Sequence, residues 1–177
     1  MKKFIISTAT ILVLILSIFS LTACSKIPED YKEVRSNLHR NGYDVLVGST
    51  SKEAVDLSIE LLFGLVYYLD EEYSSIEEGE ILLSFFEEDY NALVKDIDYC
   101  VAGLSENGEG DDLLLVIYFD DPKALENHYD TFTDVFDLIR FGIFDVNQTL
   151  IDSDNLIYRK TKNILYFGTE QAIKDAN

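Results

Sequence analysis

The chain has 177 residues and carries 33 acidic against 14 basic side chains, a formal charge of −19. A surface this acidic is repelled by nucleic-acid phosphates and by anionic lipid headgroups, so no nucleic-acid partner is expected. Apolar residues make up 47% of the chain and prolines number only two, a composition for an ordered core rather than a disordered tail.

The chain opens with Met1-Lys2-Lys3, and from Phe4 to Leu21 it carries no charge. A basic start followed by an apolar run is the layout of a secretory leader. The run is also long enough for an uncleaved membrane helix, which needs about 20 apolar residues. A plain secretory leader cut after Ala23 is a third arrangement, and it leaves Cys24 without a role. Leu21-Thr22-Ala23-Cys24 resembles the lipobox of bacterial lipoproteins. That resemblance implies cleavage between Ala23 and Cys24, with the Cys24 thiol carrying a diacylglycerol anchor. Two or more acyl chains hold a protein firmly where one is marginal. Cleavage there leaves 154 residues, enough for one domain. The leader removes two lysines and no acid, taking the formal charge from −19 to −21. Ser25 to Asp30 is expected to be a tether reaching at most about 20 Å, with a single domain over 31–177. The expected partners are the membrane, through lipid on Cys24, and a protein or cationic partner at the cell surface.

Pro28-Glu29-Asp30 reads as a helix start, with carboxylates beside the positive end of the dipole. Tyr31, Val34 and Leu38 follow at helical spacing, and His39-Arg40 then Asn41-Gly42 end the helix. Tyr43, Val45 and Val47 alternate as in a strand over 43–49. Thr50 and Glu53 have capping-box spacing ahead of a helix with Val55, Ile59, Leu62 and Val66 on one face. A further helix is predicted from about Ile76 to Val94. The run "LLFGLVYYL" is too short to span a bilayer and predicts a buried core helix.

"IDYCVAGL" and "LLLVIYF" flank the acidic connection "SENGEGDD" and predict a β-hairpin. The unbroken apolar run from Leu113 to Phe119 predicts a central strand buried on both faces. Asp121-Pro122 starts a helix whose stripe is Leu125, Tyr129, Phe132, Phe136 and Ile139, ending at Gly142. "LIYRKTKNILYFG" reads as a second hairpin, and Thr169 caps a short terminal helix. The order is that of an α+β protein with a ferredoxin-like βαββαβ core, a helical insertion and extra terminal helices. In that plan an antiparallel sheet carries its helices mainly on one face, and the strands at 43–49 and 113–119 form the central pair. "NGYDVLV" and "YFGTEQAIKDA" are similar to segments of small exported proteins and lipoproteins of Gram-positive bacteria that have no assigned activity. That resemblance implies no catalytic residues, and the stretch from Glu71 to Asp96 departs from it as extra helix.

No nucleophile elbow, Walker loop or dinucleotide fingerprint occurs, so neither a catalytic residue nor a cofactor is expected. His39 and His128 lie far apart in sequence and form no zinc motif; both read as structural. "DVNQTLIDSDN" starts like a calcium loop at Asp145 and Asn147, but Leu150 stands at its glycine position and Leu156 at its terminal glutamate position. Glu106, Glu109, Asp111 and Asp112 read as a solvated hairpin turn before a cation site. Cys100, with no partner once Cys24 is acylated, reads as a small buried hydrophobe. Tyr99, Tyr118, Tyr158 and Tyr166 on alternate strand positions are candidates for a contact platform, unless helices within 51–95 cover them. The expected role is binding or accessory work at the cell envelope by a lipid-anchored protein without a catalytic site. The alternatives are an envelope hydrolase using acidic residues and a divalent-cation-binding lipoprotein.

Overall fold

The Asp30 carboxylate accepts from the Lys32 amide at 2.9 Å and starts helix α1, Tyr31–Arg40, which buries Val34 and Leu38. Gly42 ends that turn at φ +82°, a conformation that strains any residue with a Cβ. The computed structural model describes residues 27–68, 86, 89–105, 112–140 and 155–177. Strand β1, Tyr43–Gly48, follows directly. The Glu53 carboxylate then accepts from the backbone of Ser49 and Thr50, while Thr50 Oγ1 accepts from the Glu53 amide. This reciprocal cap opens helix α2, Ser51–Tyr68.

Helix α3, Tyr90–Asp96, runs straight into strand β2, Ile97–Ser105, and then strand β3, Leu113–Phe119. Asp121 caps helix α4, Pro122–Arg140, through bonds to the amides of Lys123 and Ala124 at 2.7 and 2.8 Å. Strands β4, Leu156–Thr161, and β5, Ile164–Thr169, form the second hairpin, turning at Lys162 with φ 52°. Thr169 then caps helix α5, Glu170–Asp175. The predicted helical residues 76–85, the acidic turn 106–111 and the calcium-like segment up to Asp154 lie outside the described residues.

The five strands form one antiparallel sheet in the order β1-β2-β3-β5-β4. Every residue of β3 is buried, as its unbroken apolar run requires. Leu113, Leu115, Ile117 and Phe119 face α2, α3 and α4, together with Leu165 and Phe167 of β5. Phe136 stacks on Phe167 at 4.4 Å with planes 4° apart, and Phe132 meets Phe119 edge-on at 6.1 Å. Leu114, Val116 and Tyr118 point the other way, into a smaller core closed by Ile27, α1 and α5.

The protein is α+β, with the βαββαβ element order of a ferredoxin-like core and added helices. The strand neighbours differ from that plan. β1 and β3 are not the central pair: β2 lies between them and β1 is an edge strand. The reason is where the chain returns. β1 ends at Gly48 opposite Cys100, beside the start of β2, so the connection bearing α2 and α3 brings the chain back to the end it left. Such a return yields antiparallel neighbours rather than a parallel crossover. The second half keeps the split βαβ unit. β4 runs parallel to β3 after α4, with β5 inserted antiparallel between them.

Candidate functional site

Ile27, the first described residue, is 1% exposed in the small core. Four of the six residues expected as a tether, Ile27 to Asp30, therefore pack with the domain, and three peptide steps separate Cys24 from a buried side chain. Pro28 fixes the entry, its carbonyl accepting from the Tyr118 hydroxyl at 3.1 Å. Tyr31 stacks on Tyr99 at 4.5 Å with planes 17° apart and meets Tyr118 edge-on at 6.5 Å. Lys162, on the β4–β5 turn, donates to the Glu29 carboxylate. Apolar burial, a polar tie and an exposed ion pair thus clamp the first described residues onto one end of the sheet. The ion pair is solvated and adds little; Ile27 and Tyr118 hold the joint.

The four tyrosines do not make one platform. Tyr118 and Tyr166 are each 4% exposed in the small core, and Tyr99 is half-buried against it. Their cover is α1, α5 and Ile27, not the helices within 51–95, which pack on the opposite face. Tyr158 lies on that opposite face, opposite Phe167 in register and 5.8 Å from the Phe136 ring. Burial, and second the Asp137 carboxylate that accepts from it, push its hydroxyl pKa up. Among the described residues Leu46 and Leu104 are the large hydrophobics that stand exposed, at 55% and 40%. Two side chains are too few for a docking patch.

The two histidines have structural placements. His39 lies at the end of α1, with Nδ1 3.5 Å from the Tyr43 carbonyl. His128 is buried on α4 and stacks on Phe119, with Nε2 2.8 Å from Asp96 Oδ2. Its Nδ1 has no partner. A proton on Nε2 binds the carboxylate while a proton on Nδ1 meets no acceptor, which assigns the Nε2–H tautomer. This pair joins residues 32 apart in sequence, and no local motif announces it. It works as a tie between α4 and the end of α3, just before β2. Cys100 is fully buried, and burial pushes its thiol up to about 12, so it is no nucleophile at neutral pH.

Carboxylates gather at the same end of the sheet as Ile27. The Asp120 amide donates to the Asp96 carbonyl, and Asp98 lies close by on β2. Burial, and second the charge of Asp120, hold the Asp98 carboxyl above its ordinary value of 3.8. An acid with a raised folded pKa favours the native state when protonated. That contribution is present below the unfolded value and is lost as pH rises through the folded one. Asp98→Asn is therefore expected to raise stability at neutral pH by less than about 1 kcal/mol, because the group is largely solvated, and to raise Tm accordingly. The gain should vanish below about pH 3, where Asp98 is protonated in both states. Thermal melts at the two pH values check this, and equal Tm at neutral pH would contradict the repulsion.

No group of three or more His, Cys, Asp or Glu able to hold a metal ion occurs among the described residues. Asp112, one of the acidic-turn candidates, accepts from the Thr169 hydroxyl at 2.6 Å; Glu106, Glu109 and Asp111 lie outside the described residues. Set against protein-family models, curated proteins and solved structures, the chain matches none.

Proposed function

We propose that the protein is an extracytoplasmic lipoprotein, fixed to the cell membrane by acyl chains on Cys24 and serving a binding or accessory role at the envelope. One observation carries the reading: the uncharged run from Phe4 ends on Leu21-Thr22-Ala23-Cys24, three residues before the buried Ile27. A basic start, an apolar run and a small-residue stop are the layout of a removable leader. The buried Cys100 and the paired His128 are consistent with a non-catalytic role.

The test is fractionation of growing cells. The protein should sediment with membranes, resist a concentrated salt wash, and be released by detergent. An amine reagent that does not cross membranes should label it in intact cells through its exposed lysines. Recovery of the unmodified chain from the cytosol, shielded from that reagent, overturns the proposal.

A further inference from the structure

The tether is too short to let the domain choose its orientation. From this we infer that the end of the sheet carrying Ile27, Tyr118 and the Lys162–Asn163 turn lies against the lipid headgroups. The opposite end, carrying Tyr43, Ser105 and Thr169, then points away from the membrane. The inference rests on the lipoprotein reading and goes further, since it assigns a membrane-contacting surface to the domain.

Three peptide steps from Cys24 to Ile27 span at most about 10 Å even when fully extended. Ile27 cannot lengthen that reach without leaving the core, because it is 1% exposed and the next carbonyl is bonded to Tyr118. β2 starts at this end and runs nine residues toward Ser105, a rise of about 25 Å. The far end of the sheet is thus several tether lengths from any position the anchor allows.

Charge shows why length matters. A domain of formal charge −21 is repelled by anionic headgroups, and on a long stalk it would stand off the surface. At physiological salt that repulsion decays over about 8 Å, comparable with the extended tether. The tethered end is not uniformly acidic: exposed Lys32, Lys123 and Lys162 stand among Glu29, Asp30, Glu33, Asp120 and Asp121, with Asp96 and Asp98 half-buried beside them. Contact here is imposed by covalent reach against the net acidity of this end, which screening by salt weakens.

Fluorescent labels at single introduced cysteines test the orientation in the lipidated protein, reconstituted into vesicles of phosphatidylcholine and phosphatidylglycerol. Cys100 is fully buried and an acylated Cys24 has no free thiol, so each label goes to its chosen site. Lys123→Cys reports the near end and Glu170→Cys, one residue beyond Thr169, the far end. Headgroup spin-labelled lipid should quench the near label several-fold more than the far one. A flexible Gly-Ser insertion between Lys26 and Ile27 should remove the difference. Equal quenching at both sites on the native tether, or stronger quenching at the far site, overturns the orientation while leaving the lipoprotein reading intact. Protein purified from cell membranes that carries no acyl chain on Cys24 overturns both.

Discussion

Cys24→Ala is expected to stop maturation altogether. The variant should persist as a 177-residue chain and take up no labelled fatty acid, whereas the parent loses its leader and is labelled. Alanine keeps the size class of the position and removes only the thiol, so the leader and its apolar run are unchanged. Location is a poor readout for this variant. The retained run has about the 20 apolar residues that hold a helix in a bilayer, so precursor and mature protein both sediment with membranes. Chain length and acyl label separate the arrangements the leader allows. A plain secretory leader would still be cut in the variant, and an uncleaved helix would give full-length chain for the parent too. Normal shortening of the Cys24→Ala chain contradicts the lipoprotein reading.

Gly168→Ala is expected to be strongly destabilising. Gly168 of β5 pairs with Leu114 of β3 on one side and Ile157 of β4 on the other. A Cβ there would lie 2.3 Å from the Leu113 carbonyl oxygen and 2.9 Å from the Leu114 Cα. Both are backbone atoms in the most buried strand, so no side chain can swing aside. The strands must separate or the pairing must slip, and a slip by one residue sends Phe167 and Tyr166 to the wrong faces. We expect a loss of at least about 3 kcal/mol, beyond ordinary overpacking, and a Tm lower by roughly 6–12 °C for a domain of this size. Urea or thermal unfolding measures it. A loss under about 1 kcal/mol would mean that β3 and β5 do not approach this closely.

What could be read from the chain was the part settled by local chemistry. Asp121 and Thr169 cap their helices as their positions imply, and the seven apolar residues of β3 are all buried. Alternation along one strand says which residues share a face, but not which helix covers that face. Tyr158 therefore could not be told from Tyr118 and Tyr166 until its register opposite Phe167 was known. A register irregularity between Ile97 and Tyr99 further breaks simple alternation in β2. The edge position of β1 depends on the end to which a helical connection returns, a long-range property. Ile27 was hidden for a different reason: a single apolar residue between Lys26 and Pro28 has no period, and only Tyr118 and α1 give it a socket. The Asp96–His128 pair likewise exists only once α4 lies across the start of β2.

The account as a whole depends on what occupies the first position of the mature chain. Trypsin digestion of protein purified from detergent-solubilised membranes, followed by mass spectrometry, reads that position directly. The expected product is the peptide Cys24-Ser25-Lys26 carrying diacylglycerol on its sulfur, with no peptide from the residues before it. A peptide that runs unbroken across Ala23 and Cys24, or one that begins at Cys24 with a free thiol, would contradict the account.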